Sequence, residues 1–356
     1  MRVVVVGATG NVGTSLLDRL VDDDNVDSIL GLARRRPRLE LPKVTWAGAD
    51  IAHDDLVSHF RGADAVVHLA WAIQPSHDLG TLRRVNVDGS ARVFRAVAEA
   101  SVPTLVYASS VGAYSPGPKD RKVDESWPTG GIATSFYSRH KAEVERLLDR
   151  FEAEQPGRRV VRLRPALIFK REAGAAVRRL FVGPLFPRWI ADRGRIPVIP
   201  RIPDLRFQAV HSYDVGRAYH LAVTRDARGA FNIAADPVLD PEELARILDA
   251  RAVAVPRGVA RAAAGLTWRL HLQPTPEGWV DMALQVPLLD PARAERELGW
   301  TPEHDAAEAL RDILGGVRDS AGLDTPVLAP DAGGPGRVRE LMSGIGSRTG
   351  SSRTDA

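Results

Sequence analysis

The chain opens MRVVVVGATGNVG, Met1 to Gly13. An apolar run, Val3 to Val6, goes straight into Gly7, Gly10 and Gly13, and Val12, Leu16, Leu17 and Leu20 then recur at helical spacing. The order is buried strand, tight glycine turn, helix. Glycine serves such a turn in three ways: it allows the sharp change of direction, lets backbone approach a ligand, and lets helix pack close to strand. The first N–H groups of the helix then face a ligand together with the positive end of the helix, an arrangement suited to a pyrophosphate. Gly7, Thr9, Gly10, Asn11, Val12 and Gly13 are therefore candidate dinucleotide contacts. An ordinary strand-to-helix turn is the bland reading of the same residues.

Ser28 to Ala33 (SILGLA) reads as a second strand and runs into Arg34, Arg35 and Arg36. In a dinucleotide fold this strand end lies beside the adenosine ribose. An acid there binds the 2′-hydroxyl, whereas arginine accommodates a 2′-phosphate. No acid occurs between Leu30 and Arg36, and Asp22 to Asp24 come too early. Arg34 is thus a candidate cofactor contact, and for an NAD(P) cofactor NADP is slightly favoured; a solvated basic loop is the alternative. Val44–Ala47, Ala65–Leu69 and Thr104–Ala108 are further short strands, and Leu82–Ala100 has helical periodicity. Strands alternating with helices predict an α/β fold with a doubly wound parallel sheet, the Rossmann arrangement, with ligand chemistry at the carboxyl ends of the strands.

Ser135 to Phe151 (SFYSRHKAEVERLLDRF) reads as a helix that places Tyr137 and Lys141 one turn apart on one face. A free tyrosine has a pKa of about 10, too high for easy proton transfer at neutral pH. A nearby ammonium favours the phenolate and lowers that value. Ser110, at the carboxyl end of the Thr104–Ala108 strand, can hold a substrate oxygen while Tyr137 moves a proton to or from it.

Together these features resemble an extended short-chain dehydrogenase/reductase of the NAD-dependent epimerase/dehydratase family. The resemblance extends over most of residues 1 to 310. It rests on GATGNVG, Asp50-Ile51, HLA at 68–70, NVDG at 86–89, YASSVGAY at 107–114, Asp124-Glu125, Tyr137 with Lys141, Arg164-Pro165, VHSYDV at 210–215, FNIA at 231–234 and LGWTP at 298–302. It implies that Ser110, Tyr137 and Lys141 form the catalytic set. Lys141 would both lower the tyrosine pKa and bind the nicotinamide ribose. It further implies an adenine contact at Asp50 and Ile51, a wall beside ribose and phosphates at Leu69 and Ala70, a polar group behind the nicotinamide at Asn86, and a carboxamide-side segment beginning at Pro165. For Asn86, helix capping is an equally good reading. A homodimer is implied by resemblance alone.

Other features bound the function. The net charge is only +3, and the basic residues are scattered, so no nucleic-acid partner is expected. With no cysteine there is no disulfide and no thiolate chemistry. His68 and His211 sit in strand-like runs without a metal-spacing cluster, which favours structural hydrogen bonding, and no metal is expected. Met1 to Val6 reads as a core strand rather than a signal peptide, and no apolar run is long enough to span a bilayer, so a cytoplasmic protein with a small-molecule substrate is expected.

The sequence also departs from the family pattern. Dehydratases of this type usually carry Asp-Glu directly after the catalytic hydroxyl; Val111-Gly112 stands there instead. Nucleotide-sugar epimerases commonly place an arginine four residues before the VH histidine; here that residue is Phe207, with Arg206 one step off. The stretch Arg171 to Arg201, with Phe181, Phe186 and Trp189, reads either as a lid or as an insertion packed on a second domain. The predicted organisation is a dinucleotide domain at 1–170 plus 206–236, a smaller mixed α/β substrate domain at 171–205 plus 237–322, and a disordered tail from 323. Asp240-Pro241 and Asp290-Pro291 mark helix starts. The favoured activity is hydride transfer at a secondary alcohol or carbonyl carbon. A nucleotide-sugar epimerase with tightly bound NAD, and a non-catalytic dinucleotide-binding sensor or scaffold, are the alternatives.

Overall fold

The computed structural model describes residues 1–73, 78–182, 196–270, 273 and 275–330. The strands in chain order are β1 (Arg2–Val6), β2 (Ser28–Ala33), β3 (Val44–Gly48), β4 (Ala65–His68), β5 (Thr104–Ala108), β6 (Lys122–Val123), β7 (Arg159–Pro165), β8 (Leu167–Phe169), β9 (Val198–Arg201), β10 (Phe207–His211), β11 (Gly229–Ile233), β12 (Ala235–Leu239), β13 (Arg251–Ala254) and β14 (Leu288–Leu289). The helices are α1 (Asn11–Val21), α2 (Val57–Phe60), α3 (Leu79–Arg83), α4 (Gly89–Glu99), α5 (Phe136–Glu154), α6 (Gly174–Val177), α7 (Ser212–Thr224), α8 (Pro241–Leu248), α9 (Arg257–Arg269), α10 (Glu277–Gln285) and α11 (Ala306–Asp319).

Seven strands form one sheet in the order β3-β2-β1-β4-β5-β7-β11, and every adjacent pair is parallel. The valine run explains how it is covered. Val3 and Val5 join the core beneath α1 and α7, with Leu16, Leu17 and Tyr219, whereas Val4 and Val6 join the core beneath α4 and α5, with Phe94 and Leu148. A strand buried on both faces has no polar side to alternate with, hence the unbroken apolar run. The expected doubly wound Rossmann fold is what the chain adopts. Chain order reverses between β1 and β4, and that switch point opens the crevice where ligands bind in such sheets.

A three-stranded sheet, β12-β10-β8, lies outside the main one. Thus Phe207–His211 pairs with Leu167–Phe169, while Gly229–Ile233 returns to the main sheet. Asp240 caps α8 by accepting from Glu243 N, with Pro241 in the first turn, and Asp290 Oδ1 accepts from Ala292 N. Leu298 and Trp300 are buried against α7, where the Trp300 indole donates to Asp214 O at 2.8 Å.

Two sequence expectations need correction. The helix expected over Leu82–Ala100 is interrupted by a π-helical turn, Arg84–Asp88, between α3 and α4. The tail expected to be disordered from residue 323 is folded as far as residue 330. Thr325 and Leu328 are buried, and Thr325 Oγ1 donates to Thr9 O at 3.0 Å. Composition misleads here because one buried leucine and a few backbone contacts suffice to order a short segment. Residues 183–195, including Phe186 and Trp189, and residues 331–356 lie outside the described residues.

Candidate active site

The site begins at the glycine turn. Gly7 has φ +89°, and a Cβ on it would lie 2.6 Å from Ala70 N. β1 and β4 end side by side, so the chain after β4 can cross only where residue 7 has no side chain. A Cβ at Gly13 would lie 2.6 Å from the Gly7 and Ala8 carbonyl oxygens. Gly10 is the N-cap of α1 and supplies no side-chain cap. The leading N–H groups of this helix are thus without the partner that Ser or Asp would give. A backbone-lined concavity at a helix start fits a pyrophosphate.

The other candidate cofactor residues surround this crevice. Thr9 is buried and Val12 half-buried. Asn11 Nδ2 donates to Ile168 O, while its Oδ1 is buried without a partner. Leu69 N donates to Val6 O at 2.8 Å, which holds Leu69 and Ala70 along the switch point. Arg34 is exposed directly after β2. Asp50 follows β3 and accepts from Ala52 N, and Ile51 is buried against Gly89. Pro165 ends β7 opposite Ile233. Asn86 caps no helix: it lies within the π-helical turn, accepting from Ala72 N at 2.7 Å and donating to Ala72 O at 3.1 Å. This two-point clamp positions the loop after β4, and with it Trp71.

At the end of β5, Ser110 Oγ accepts from Gly112 N at 3.0 Å. α5 brings Tyr137 alongside: a Cβ on Gly112 would lie 2.8 Å from Tyr137 Cε1. Ser135 caps α5 by accepting from Ser138 N, and Ser138 Oγ donates to Gly112 O, so the turn and the helix start are tied together. Burial pushes the Tyr137 hydroxyl up to about 12, opposed by the neighbouring Ser110 hydroxyl. The sequence reading has Lys141 lowering the tyrosine pKa; in this arrangement it does not. Lys141 Nζ donates to Ala108 O at 2.7 Å and lies 5.9 Å from the Tyr137 ring centroid. Burial holds Lys141 itself down to about 7, partly offset by Glu145.

Beneath these groups lies a charged network. Glu145, one turn after Lys141, binds both Arg162 and Arg164 and accepts from Ser109 Oγ. Burial pushes its carboxyl up, but the two guanidiniums overcome this and hold it at about 2. Arg164 also donates to Tyr114 Oη at 3.0 Å, Tyr114 donates to Asn232, and Asn232 N donates to Glu125. Four separated motif residues thereby meet in one cluster, Tyr114, Arg164 and Asn232 buried and Glu125 half-buried at its edge. Sequence reasoning missed Glu145; its signal was an acid four residues after Lys141 on the same buried face.

Two aromatics were also missed. Trp71 lies with its ring centroid 3.5 Å from Lys141 Nζ and 6.0 Å from the Tyr137 ring. Trp279, on α10, has its ring centroid 5.1 Å from that of Tyr137. Trp71 directly follows the HLA motif and could have been noticed; nothing local marks Trp279. Residues 323–330 lie across the glycine turn and the end of β2, with Thr325 on Thr9 O and Arg35 donating to Pro326 O at 3.0 Å. Lys170, also buried, donates to Thr14 and Ser15 on α1. The two histidines noted in the sequence make structural contacts. His68 Nε2 shares a 2.9 Å hydrogen bond with Ser90, and His211 Nδ1 accepts from Tyr213 N.

Residues 3–234 match the sequence pattern of the NAD dependent epimerase/dehydratase family. An uncharacterized protein of Mycobacterium tuberculosis (strain ATCC 25618 / H37Rv) is 28% identical over 326 residues, which is 91% of this chain and 31% of that protein. The chain therefore spans less than a third of that relative's length. The 4-hydroxy-2-methyl-3-oxo-4-farnesyl-3,4-dihydroquinoline-1-oxide ketoreductase of Stigmatella aurantiaca is 29% identical over 175 residues, covering 48% of this chain and 51% of that protein. The fold is shared with the UDP-glucose 4-epimerase of Thermotoga maritima, solved with UDP-glucose: TM-score 0.66, 19% identity, 90% of this chain and 99% of that one. Among the described residues, no helix is long and apolar enough to cross a membrane.

Proposed function

The chain belongs to the NAD dependent epimerase/dehydratase family, and from that membership we propose that it is an NAD(P)-dependent oxidoreductase acting at a secondary alcohol or carbonyl carbon. The carrying observation is the placement of Tyr137, its ring packed on Gly112 next to Ser110 at the carboxyl end of β5, beside the crevice that Gly7 and Ala70 form. The backbone of Gly10 to Gly13 would hold the pyrophosphate. Arg34, exposed where an acid would otherwise bind a ribose hydroxyl, favours a 2′-phosphate and hence NADP.

When bound in its reduced form, the cofactor supplies the hydride that forms the new C–H bond as the carbonyl π bond breaks. Ser110 Oγ orients the substrate oxygen, and Tyr137 Oη gives that oxygen its proton, so the product is the neutral alcohol. A phenol with a pKa near 12 carries its proton at neutral pH, and it gives that proton up only because the alkoxide that forms as hydride arrives is a stronger base than the phenolate. Trp71 and Trp279 exclude water from the Tyr137 ring. The ketoreductase from Stigmatella aurantiaca supports the reductive reading.

The test is NADPH and NADH consumption by the purified full-length chain with a panel of ketones and aldehydes, and with nucleotide sugars. Net NADPH oxidation that falls by roughly 100-fold or more in Tyr137→Phe supports the proposal. Turnover that survives Tyr137→Phe, or epimerisation without net cofactor consumption, overturns it.

A further inference from the structure

We propose that the substrate of this site is a flat, uncharged, largely apolar ketone or alcohol held against the indoles of Trp71 and Trp279 where they meet Tyr137, and not a sugar carried on a nucleoside diphosphate. The inference rests on the oxidoreductase reading above and names its substrate class.

The first observation is the wall around Tyr137. Trp279 lies 5.1 Å from its ring at an interplanar angle of 35°, and Trp71 meets it edge-on at 6.0 Å. Phe181 extends the wall, its centroid 5.3 Å from that of Trp279. Met282 and Val286 are buried in the same apolar cluster as Tyr137. Walls of this kind favour flat apolar molecules, which lose little hydration on entering and gain ring contacts.

The second observation is independent and polar. The Nε1 atoms of Trp71 and Trp279 are both buried without a hydrogen-bond partner. Buried indole N–H groups normally find an acceptor. Two unpaired donors beside one proton-transfer residue call for a ligand that carries neutral acceptor oxygens, such as the carbonyl, hydroxyl or ether groups of a ring compound.

The third observation concerns charge. A diphosphate placed against rings needs cations to replace its lost hydration. Lys141 donates to Ala108 O and lies over the Trp71 ring. Arg206, one position away from the arginine common in nucleotide-sugar epimerases, donates to Lys119 O at 2.7 Å. Lys119 in turn gives its protons to Arg206 O and Ala283 O, each at 2.8 Å. Lys119 and Arg206 hold segments of the chain together, and the Lys141 ammonium, which alone of the three lies on the wall, is bound to Ala108 O and covered by the Trp71 ring.

The test uses the full chain saturated with NADP⁺. Isothermal titration is run with 2-acetylnaphthalene as an apolar flat ketone and with UDP-glucose as the charged alternative. The naphthyl ketone is expected to bind while UDP-glucose produces no heat. Trp279→Ala should weaken the ketone by roughly tenfold or more. Trp279→Phe, which keeps a ring and removes the N–H, should weaken it by less, and it decides the matter if the alanine variant does not fold. UDP-glucose binding in competition with the ketone, no binding of the ketone, or undiminished ketone affinity in Trp279→Phe and in a folded Trp279→Ala overturns the inference. A chain that binds the ketone without reducing it upholds this substrate class while sinking the oxidoreductase reading. Oxidation of UDP-glucose with net reduction of NADP⁺ does the reverse.

Discussion

The Tyr137 ring lies flush against Gly112: a β-carbon at residue 112 would lie 2.8 Å from Tyr137 Cε1 and 3.1 Å from Cδ1. Gly112 stands where related dehydratases carry an acid, and the absence of a side chain there makes room for the tyrosine. Gly112→Ala must push the ring away from Ser110. Displacements of about 1 Å at a reacting group cost roughly 100-fold in rate. We therefore expect a loss of that order in kcat, with circular dichroism and cofactor affinity unchanged. Wild-type turnover in Gly112→Ala would show that the ring position is not critical.

Lys141 gives a stability signature at alkaline pH. Burial lowers its pKa from 10.5 to about 7 in the folded chain. Between those values the unfolded chain holds a proton that the folded chain has released, so stability rises with pH across this window. Relative to Lys141→Met, the wild-type chain should gain up to about 1.4 kcal/mol per pH unit between pH 7 and 10. Lys119, also held near 7 by burial, is present in both proteins and cancels in the comparison. Urea unfolding of the two proteins at several pH values measures the difference. Parallel curves would mean that Lys141 is more hydrated than its burial implies.

Glu145 gives the opposite signature in acid. Its carboxyl is held at about 2 in the folded chain, against 4.5 when exposed. Its stabilising contribution is complete above pH 4.5 and is lost as pH falls from there toward 2. Glu145→Gln leaves Arg162 and Arg164 buried with less compensation, and should cost about 3–5 kcal/mol at pH 7. The variant should also show a shallower loss of stability between pH 4.5 and 2. An acid transition that matches wild type in slope and midpoint would sink this reading.

Residues 323–330 bridge the glycine turn and the end of β2. Thr325 bonds Thr9 O and Arg35 bonds Pro326 O. Thr325→Val removes one anchor, at a stability cost of about 1 kcal/mol. We expect faster association of NADPH in stopped-flow fluorescence, because the segment must yield before the turn can accept a ligand. An association rate equal to that of wild type would mean that the segment lies clear of the entry path.

Features that local spacing controls were readable in the sequence. The four-valine strand, the glycine turn and the one-turn separation of Tyr137 and Lys141 each depend on short-range geometry, which the residue order states directly. The Arg84–Asp88 π-turn was not readable, because it follows from Asn86 bonding a loop on the far side of β4. The sequence reading also assigned Lys141 an electrostatic task on Tyr137 that its burial and its bond to Ala108 O do not support in this arrangement.

By itself, then, the sequence determined the class of fold, the dinucleotide crevice and the residues proposed for proton transfer. Each of these comes from a run or a repeat within a few turns of chain. Only the tertiary structure decided what faces those residues. Trp71 and Trp279 reach Tyr137 from a strand end and from a distant helix, Glu145 gathers two arginines of β7, and Thr325 crosses back to Thr9. The physical reason is that burial, which sets the pKa values and the character of the wall here, is a property of how separated elements pack, and no local spacing encodes it.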